Sequence, residues 1–423
     1  MQSGDRMLIS SFVEKQTREL KRIWYSCDPG SHVNPVVVPH TQKLENESRL
    51  LEIINWLGDQ VETPMRGEED RKRILIEGIQ RLKKIGSDIL GFSKEQMECF
   101  QELGIDRSAE EFFKRAHVFD PYMSTEAIFQ AGRNVWTANY LQVLLGLPVE
   151  LTPSIFGYSM LYPVSDNYLD DPGRSSQEKI SFNQRFRGWL AGEYADPINW
   201  NEKDVFDLVG MIGSQYPPAL HPQVLESLLA IQSAQEKSLR FQSRNGSRTF
   251  DEVLTMTFEK GGTSVLADGI LAAGELSQEQ MEIIFNYGAF AQLMDDQEDL
   301  ENDLQDRSVT IFTLSASSGK VDETMRKVFC FAHRILKGMD SFHAERAFPL
   351  KQMSMKGIDL LLMDAIFRMK DYYSSPYLKE LEEFYPFRFE FMDQVRKNIK
   401  RKKLNAERLI GIFSPNLVAE ILY

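Results

Sequence analysis

Between Gln292 and Asp306 the chain reads QLMDDQEDLENDLQD, and its acids recur at helical spacing. At about 100° per residue, Asp295, Asp299, Asn302, Asp303 and Asp306 fall within an arc of roughly 100° on a helix. Leu293, Leu300 and Leu304 point the other way. Carboxylates one turn apart repel, and negative charge near a helix C-terminus opposes the macrodipole. A bound cation relieves both; so does full solvation, and this cluster by itself leaves the two open. A second cluster, Asp166, Asp170 and Asp171 in LYPVSDNYLDDPG, favours the cation. Two sets of hard oxygen ligands facing one cavity suit Mg²⁺, which takes carboxylates together with substrate phosphates.

Both clusters sit at the ends of helices built for a core. Met281 to Met294 is apolar almost all round, as is Leu151 to Tyr162, and Pro172 with Gly173 closes the latter. Ser124 to Leu147 is a third core helix, in which Arg133, Asn134 and Asn139 are polar enough to line a cavity or to lie on an exposed edge. A helix opening at Ser175 or Ser176 carries Lys179, Arg185 and Arg187. These could bind diphosphate oxygens, arginine bidentately, or pair with the acids. His221 to Arg244 adds Gln235, Lys237 and Arg240 as weaker candidates. In Thr249 to Gly274, Gly261 and Gly262 each cost about 1 kcal/mol against alanine inside a helix. Either the helix breaks there, letting a ligand approach the backbone between Lys260 and Thr263, or another helix packs closely. Arg307 is placed to meet the acids or a phosphate.

The whole chain bounds these readings. It has 423 residues, a net charge of −13 and a pI near 5.2, which disfavours a nucleic-acid partner. Cys27, Cys99 and Cys330 stand far apart, without disulfide or zinc spacing. A charged N-terminus unlike a signal peptide, and the lack of a long apolar run, predict a cytoplasmic protein without stable membrane insertion. Helical patterns cover about 8–25, 44–59, 67–88, 94–103, 108–116, 322–339, 354–373, 376–385 and 388–404, with no strand set and no repeat. The fold class is therefore all-α, divided into a helical extension over 1–119 and a catalytic region over 120–423. Near the C-terminus, Arg396 to Lys403 form a basic block beside Phe387, Phe389 and Phe391. It suits peripheral contact with an anionic membrane, or simply a helix end favoured by the macrodipole.

The paired clusters resemble those of the class I isoprenoid synthases, the superfamily of trans-prenyl diphosphate synthases, squalene and phytoene synthases and class I terpene cyclases. Asp295 to Asp299 is a literal DDxxD, and Asp166 with Asp170 makes a DxxxD in the position of a first motif. Lys260, Gly261, Gly262 and Thr263 are similar to the diphosphate-contacting lysine of prenyl synthases and to the broken helix of cyclases. The resemblance spans about residues 120–345. It implies a large antiparallel helical bundle in which Asp166, Asp170, Asp171, Asp295, Asp296, Asp299 and Asp303 hold up to three Mg²⁺ ions once substrate is bound. Arg185, Lys260 and Arg307 would meet the diphosphate of an allylic prenyl substrate. Phe156, Tyr158, Tyr162, Phe258, Phe285 and Phe290 would line the carbocation pocket. A homodimer is compatible with it. Asp306 and Thr310 replace the serine and glutamate of the cyclase metal motif, the first cluster lacks DDxxD, and the tyrosine-valine-alanine-glycine stretch of squalene synthases is missing. By elimination the resemblance implies a terpene synthase, with a prenyltransferase as the alternative. A helical interaction protein is the non-enzymatic rival.

Overall fold

The computed structural model describes residues 7–29, 36–62, 68–97, 103–171, 173–193, 195–243, 248–345 and 347–401. In chain order the helices are α1 (Ile9–Tyr25), α2 (His40–Glu62), α3 (Glu68–Asp88), α4 (Ile105–Phe119), α5 (Thr125–Leu144), α6 (Pro153–Asp170), α7 (Ser176–Leu190), α8 (Trp200–Gln215) and α9 (Pro222–Ser243). They continue as α10 (Phe250–Ala273), α11 (Gln278–Glu298), α12 (Leu300–Asp306), α13 (Ile311–Ser318), α14 (Val321–Leu336), α15 (Ala347–Arg368), α16 (Ser375–Glu382) and α17 (Phe389–Arg401). Among the described residues there is no strand, and the protein is all-α. No helix there is long and apolar enough to cross a membrane.

Side-chain caps set where the site helices begin. Ser124 caps α5, Thr152 caps α6 with Pro153 in its first turn, and Asn199 caps α8. Reciprocal capping boxes start α7 at Ser175 and Glu178, α10 at Thr249 and Glu252, and α11 at Ser277 and Gln280. Each such cap satisfies backbone N–H groups that the first turn leaves without partners, typically for about 1 kcal/mol. At α15 the helix starts at Ala347, earlier than the pattern suggests, because Pro349 falls in the first turn, where its missing N–H costs nothing.

The chain forms two compact units. The first comprises residues 1–31, 104–112 and 122–347, the second residues 32–103, 113–121 and 348–423, so α4 contributes to both. This grouping does not follow a boundary after residue 119. Helix α1 belongs with the site-bearing helices because Trp24 is fully buried among Phe250, Phe258 and Phe331, and Phe12 meets the edge of Phe285. Rings of this size typically contribute about 1.5–3 kcal/mol each by burial. In the second unit, Arg388 grips the buried Glu47 with a fork of bonds at 2.6 and 3.0 Å, Asn46 donates to the Pro386 carbonyl at 3.1 Å, and Lys43 donates to that of Glu382. Phe387, Phe389 and Phe391 are buried there, Phe387 stacked with Phe391 and Phe389 with Phe367. They are unavailable to a membrane surface, and Arg396 is held by Asp364 at 3.1 Å. Lys402 and Lys403 lie outside the described residues.

In the first unit the closest pairing is α10 against α11. A Cβ at Gly261 would lie 2.4 Å from the Gly288 carbonyl oxygen, one at Gly288 would lie 2.3 Å from that of Gly261, and one at Gly262 would lie 2.4 Å from the Phe285 ring. Helix α10 is unbroken, and its paired glycines admit the facing helix, Gly261 meeting the Gly288 backbone and Gly262 the Phe285 ring. The expected helix break is corrected accordingly. Thr263 is buried and donates to the Glu259 carbonyl at 2.7 Å, so it does not face a ligand either.

Candidate active site

Five helices of the first unit each present a stripe to one cavity of about 410 Å³. Helix α5 gives Gln130, Arg133, Asn134 and Thr137; α6 gives Tyr158, Leu161, Tyr162 and Ser165; α9 gives Leu228, Ile231, Gln232 and Gln235. Helix α10 adds Lys260, Gly261, Ser264 and Val265, α11 adds Gly288, Ala291, Gln292 and Asp295, and Asp299 follows as its C-cap. Most of these follow the i, i+3, i+4, i+7 rule of one helical face. Phe186 and Leu190, one turn apart on α7, complete the wall. The volume falls in the range of about 300–1,000 Å³ usual for small-molecule sites.

The charged part of the wall is the C-terminal end of α11 and what surrounds it. Asp295 is half-exposed and 3.4 Å from the Arg133 guanidinium. Asp296 points to the other side, accepting from Gln292 at 2.8 Å and from Thr257 at 3.0 Å. Burial pushes its carboxyl up to about 6, against the opposing pull of these hydrogen bonds and of Lys260. Asp303 is also raised to about 6, by desolvation first and then by Asp296 and Asp299. Desolvation, Asp295 and Glu298 raise Asp299, with Arg133 and Lys260 acting against them. The acids thus share a field in which Lys260 opposes the repulsion.

Among the described residues no three His, Cys, Asp or Glu side chains already gather around a single ion position. The donor chemistry nevertheless fits Mg²⁺, which commonly takes one or two carboxylates and completes its shell with water and substrate phosphate. From the first cluster, the side chains of Asp166 and Asp170 lie outside the described residues. Their backbone belongs to α6, and Ser165, just before Asp166, lines the cavity. Asp171 ends that helix, accepts from the Gly173 N–H at 2.8 Å and pairs with Arg174 at 3.4 Å, away from the cavity wall.

Several other expected site residues have different roles. Arg185 is committed to Glu202, a fully buried carboxylate, through Nε at 3.0 Å and through Nη2. The strength of that pair holds its own pKa above the ordinary arginine value. Arg187 donates to Ser233 at 3.1 Å. Arg307 is the left-handed residue closing α12, at φ 59°, exposed and off the cavity wall. Of the six aromatic residues named as liners, Tyr158 and Tyr162 line the cavity. Phe156, Phe258, Phe285 and Phe290 are core, the first against Phe112 and the second stacked on Phe331 at 5.3 Å. Asn139 is likewise buried, donating to Gln142 at 2.9 Å.

One buried group gives no sequence signal. Asp268 on α10 is 3% exposed, and desolvation raises its carboxyl well above the ordinary range. It acts electrostatically on Tyr158, whose hydroxyl donates to the Ser264 carbonyl at 3.3 Å and whose pKa burial also raises. A buried acid therefore stands behind the cavity wall. Lining residues such as Gln130, Thr137, Ser165 and Gln292 were readable in principle, as polar positions one turn from Arg133, Tyr162 and Asp295.

No family model matches the chain, and no curated protein matches it. Among solved structures, a geranyltransferase from Legionella pneumophila aligns over 81% of this chain and 99% of its own, at 13% identity and a TM-score of 0.28. That likeness is too distant to place any residue or to assign an activity.

Proposed function

We propose that this protein is an isoprenoid enzyme that ionises an allylic prenyl diphosphate and transfers the prenyl cation to a second substrate. One observation carries the reading: a single cavity combines acids and two cationic side chains, Asp295, Asp299, Arg133 and Lys260, with an apolar set including Leu161, Leu228, Ile231 and Val265. A prenyl diphosphate has that same division. Lys260 would take up charge on the departing diphosphate, which stabilises the transition state most where water is scarce. Mg²⁺, held by Asp295 and Asp299, would supply Lewis-acid stabilisation of the same oxygens. Tyr158, Tyr162 and Phe186 offer ring faces to the allylic cation.

Transfer is preferred to cyclisation because of the α5 stripe. Arg133, with Gln130, Asn134 and Thr137 beside it, forms a cationic and polar position on a different helix from Lys260. Two such positions suit two anionic head groups. Cyclisation to a terpene, which elimination among sequence motifs suggests, needs only one such position. The test is product analysis after incubating the protein with Mg²⁺ and geranyl, farnesyl, geranylgeranyl or geranylfarnesyl diphosphate, each with and without isopentenyl diphosphate. Lengthened or doubled chains are the expected result. A hydrocarbon or alcohol with the carbon number of the single substrate supplied would replace transfer by cyclisation, and no turnover with any of them would refute the proposal.

A further inference from the structure

Cys27 and Cys330, far apart in the chain, are neighbours in the fold of the first unit. Cys27 stands in the turn just after α1, and Cys330 lies on α14. Contacts on both sides of the pair pin this crossing. Trp24 meets Phe331 edge-on, with ring centroids 5.7 Å apart. Arg334, one turn beyond Cys330, donates to the Ser26 carbonyl at 3.0 Å and to the Ser26 hydroxyl as well. Between these contacts the Cys27 thiol donates to the Cys330 sulfur. Both residues are buried thiols, at 3% and 7% exposure.

A buried cysteine is ordinarily a small apolar filler. Two details set this pair apart. Arg334 and Lys327 act on Cys27 and favour its thiolate, in opposition to burial, which pushes the thiol up to about 12. The cover over Cys27 is also thin. Tyr25, Ser26 and Asp28 are exposed, and the turn is closed by the Cys27 N–H donating to the Trp24 carbonyl at 3.1 Å. Local opening at a helix end returns the thiol to water and removes the burial that suppresses its thiolate. Among the described residues no third His, Cys, Asp or Glu joins the pair to make a metal site.

We propose that Cys27 and Cys330 form an oxidation site, a dithiol that peroxide converts into a disulfide fastening the end of α1 to α14. One thiolate attacks a peroxide oxygen, leaving a sulfenic acid and releasing hydroxide, which takes up the proton that the thiol lost. The second thiol then displaces the sulfenic oxygen as water. Two thiols and one peroxide thus become one disulfide and two waters. The link closes a loop of about 300 residues, which restricts the unfolded chain strongly. This site is independent of the proposed activity.

The test is peroxide treatment of the full chain, freed of reductant, followed by non-reducing peptide mass spectrometry and a thermal melt. The expected product is a peptide pair joined through Cys27 and Cys330 with two hydrogens lost. Melting should rise by roughly 4–16 °C, and dithiothreitol should undo both changes. Cys99→Ser should behave as the wild type does, whereas Cys27→Ala and Cys330→Ala should show no rise on oxidation. Thiols left untouched by peroxide, oxidation to sulfinic acid without a link, a link to Cys99 instead, or a linked form that melts no higher would each overturn the proposal.

Discussion

Replacing Arg185 by methionine tests whether this arginine belongs to the scaffold or to the substrate. The structure gives the carboxylate of Glu202 zero exposure, with Arg185 as its cation and the Ile198 N–H donating at 3.1 Å. Removing one partner of a buried pair leaves an uncompensated charge, at a cost of about 3–5 kcal/mol. With about 2–4 °C lost per kcal/mol in a unit of this size, melting should fall by roughly 6–20 °C. A thermal melt measures this, and Glu202→Gln in the same background should recover part of the loss. Affinity for an inert prenyl diphosphate analogue, measured well below the melting transition, should be unchanged. Unaltered melting together with lost affinity would refute the scaffold role and return Arg185 to the diphosphate.

Lys260→Met should do the reverse, lowering analogue affinity about 10–150-fold, as loss of a charged hydrogen bond of about 1.5–3 kcal/mol does, while the fold melts close to the wild type; titration calorimetry reads the first and a thermal melt the second. Gly288→Ala must push apart the backbones of α10 and α11, since its Cβ would lie 2.3 Å from the Gly261 carbonyl oxygen. Overpacking of this kind costs about 1–3 kcal/mol or more, so a melt should show a drop of at least a few degrees, and an unchanged melt would contradict the close crossing. Asp296 and Asp303 bind protons more tightly when folded, with values about 6 against an ordinary 3.8. Stability of the metal-free protein should therefore fall as pH rises through that window. Calorimetry at pH 5 and 7.5 checks the sign, and the Asp296→Asn, Asp303→Asn double variant should flatten the difference.

The legible parts of this chain are those where local chemistry and tertiary role coincide. Asp295 and Asp299 reach the cavity because the helix period that aligned them in the sequence also holds in α11, and the caps at Ser124, Ser175 and Thr249 act on their own first turns. The sequence pattern does not single out helix α8. Its buried Val205, Leu208 and Ile212 repeat at helical spacing, but Gly210 and Gly213 dilute the pattern. Arg185 and the four buried phenylalanines were misplaced for a related reason. A basic residue near acids, or an aromatic residue in a core helix, has the same composition whether it faces a ligand or a neighbour. Choosing between them requires the partner, and Glu202 lies seventeen positions from Arg185. The glycines of α10 show the same limit more sharply: either reading puts a glycine pair in a helix, and only the position of Gly288 on the facing helix separates a ligand approach from a helix crossing. In this chain, then, spacing identifies which residues share a face, and packing decides which of those faces meets the cavity.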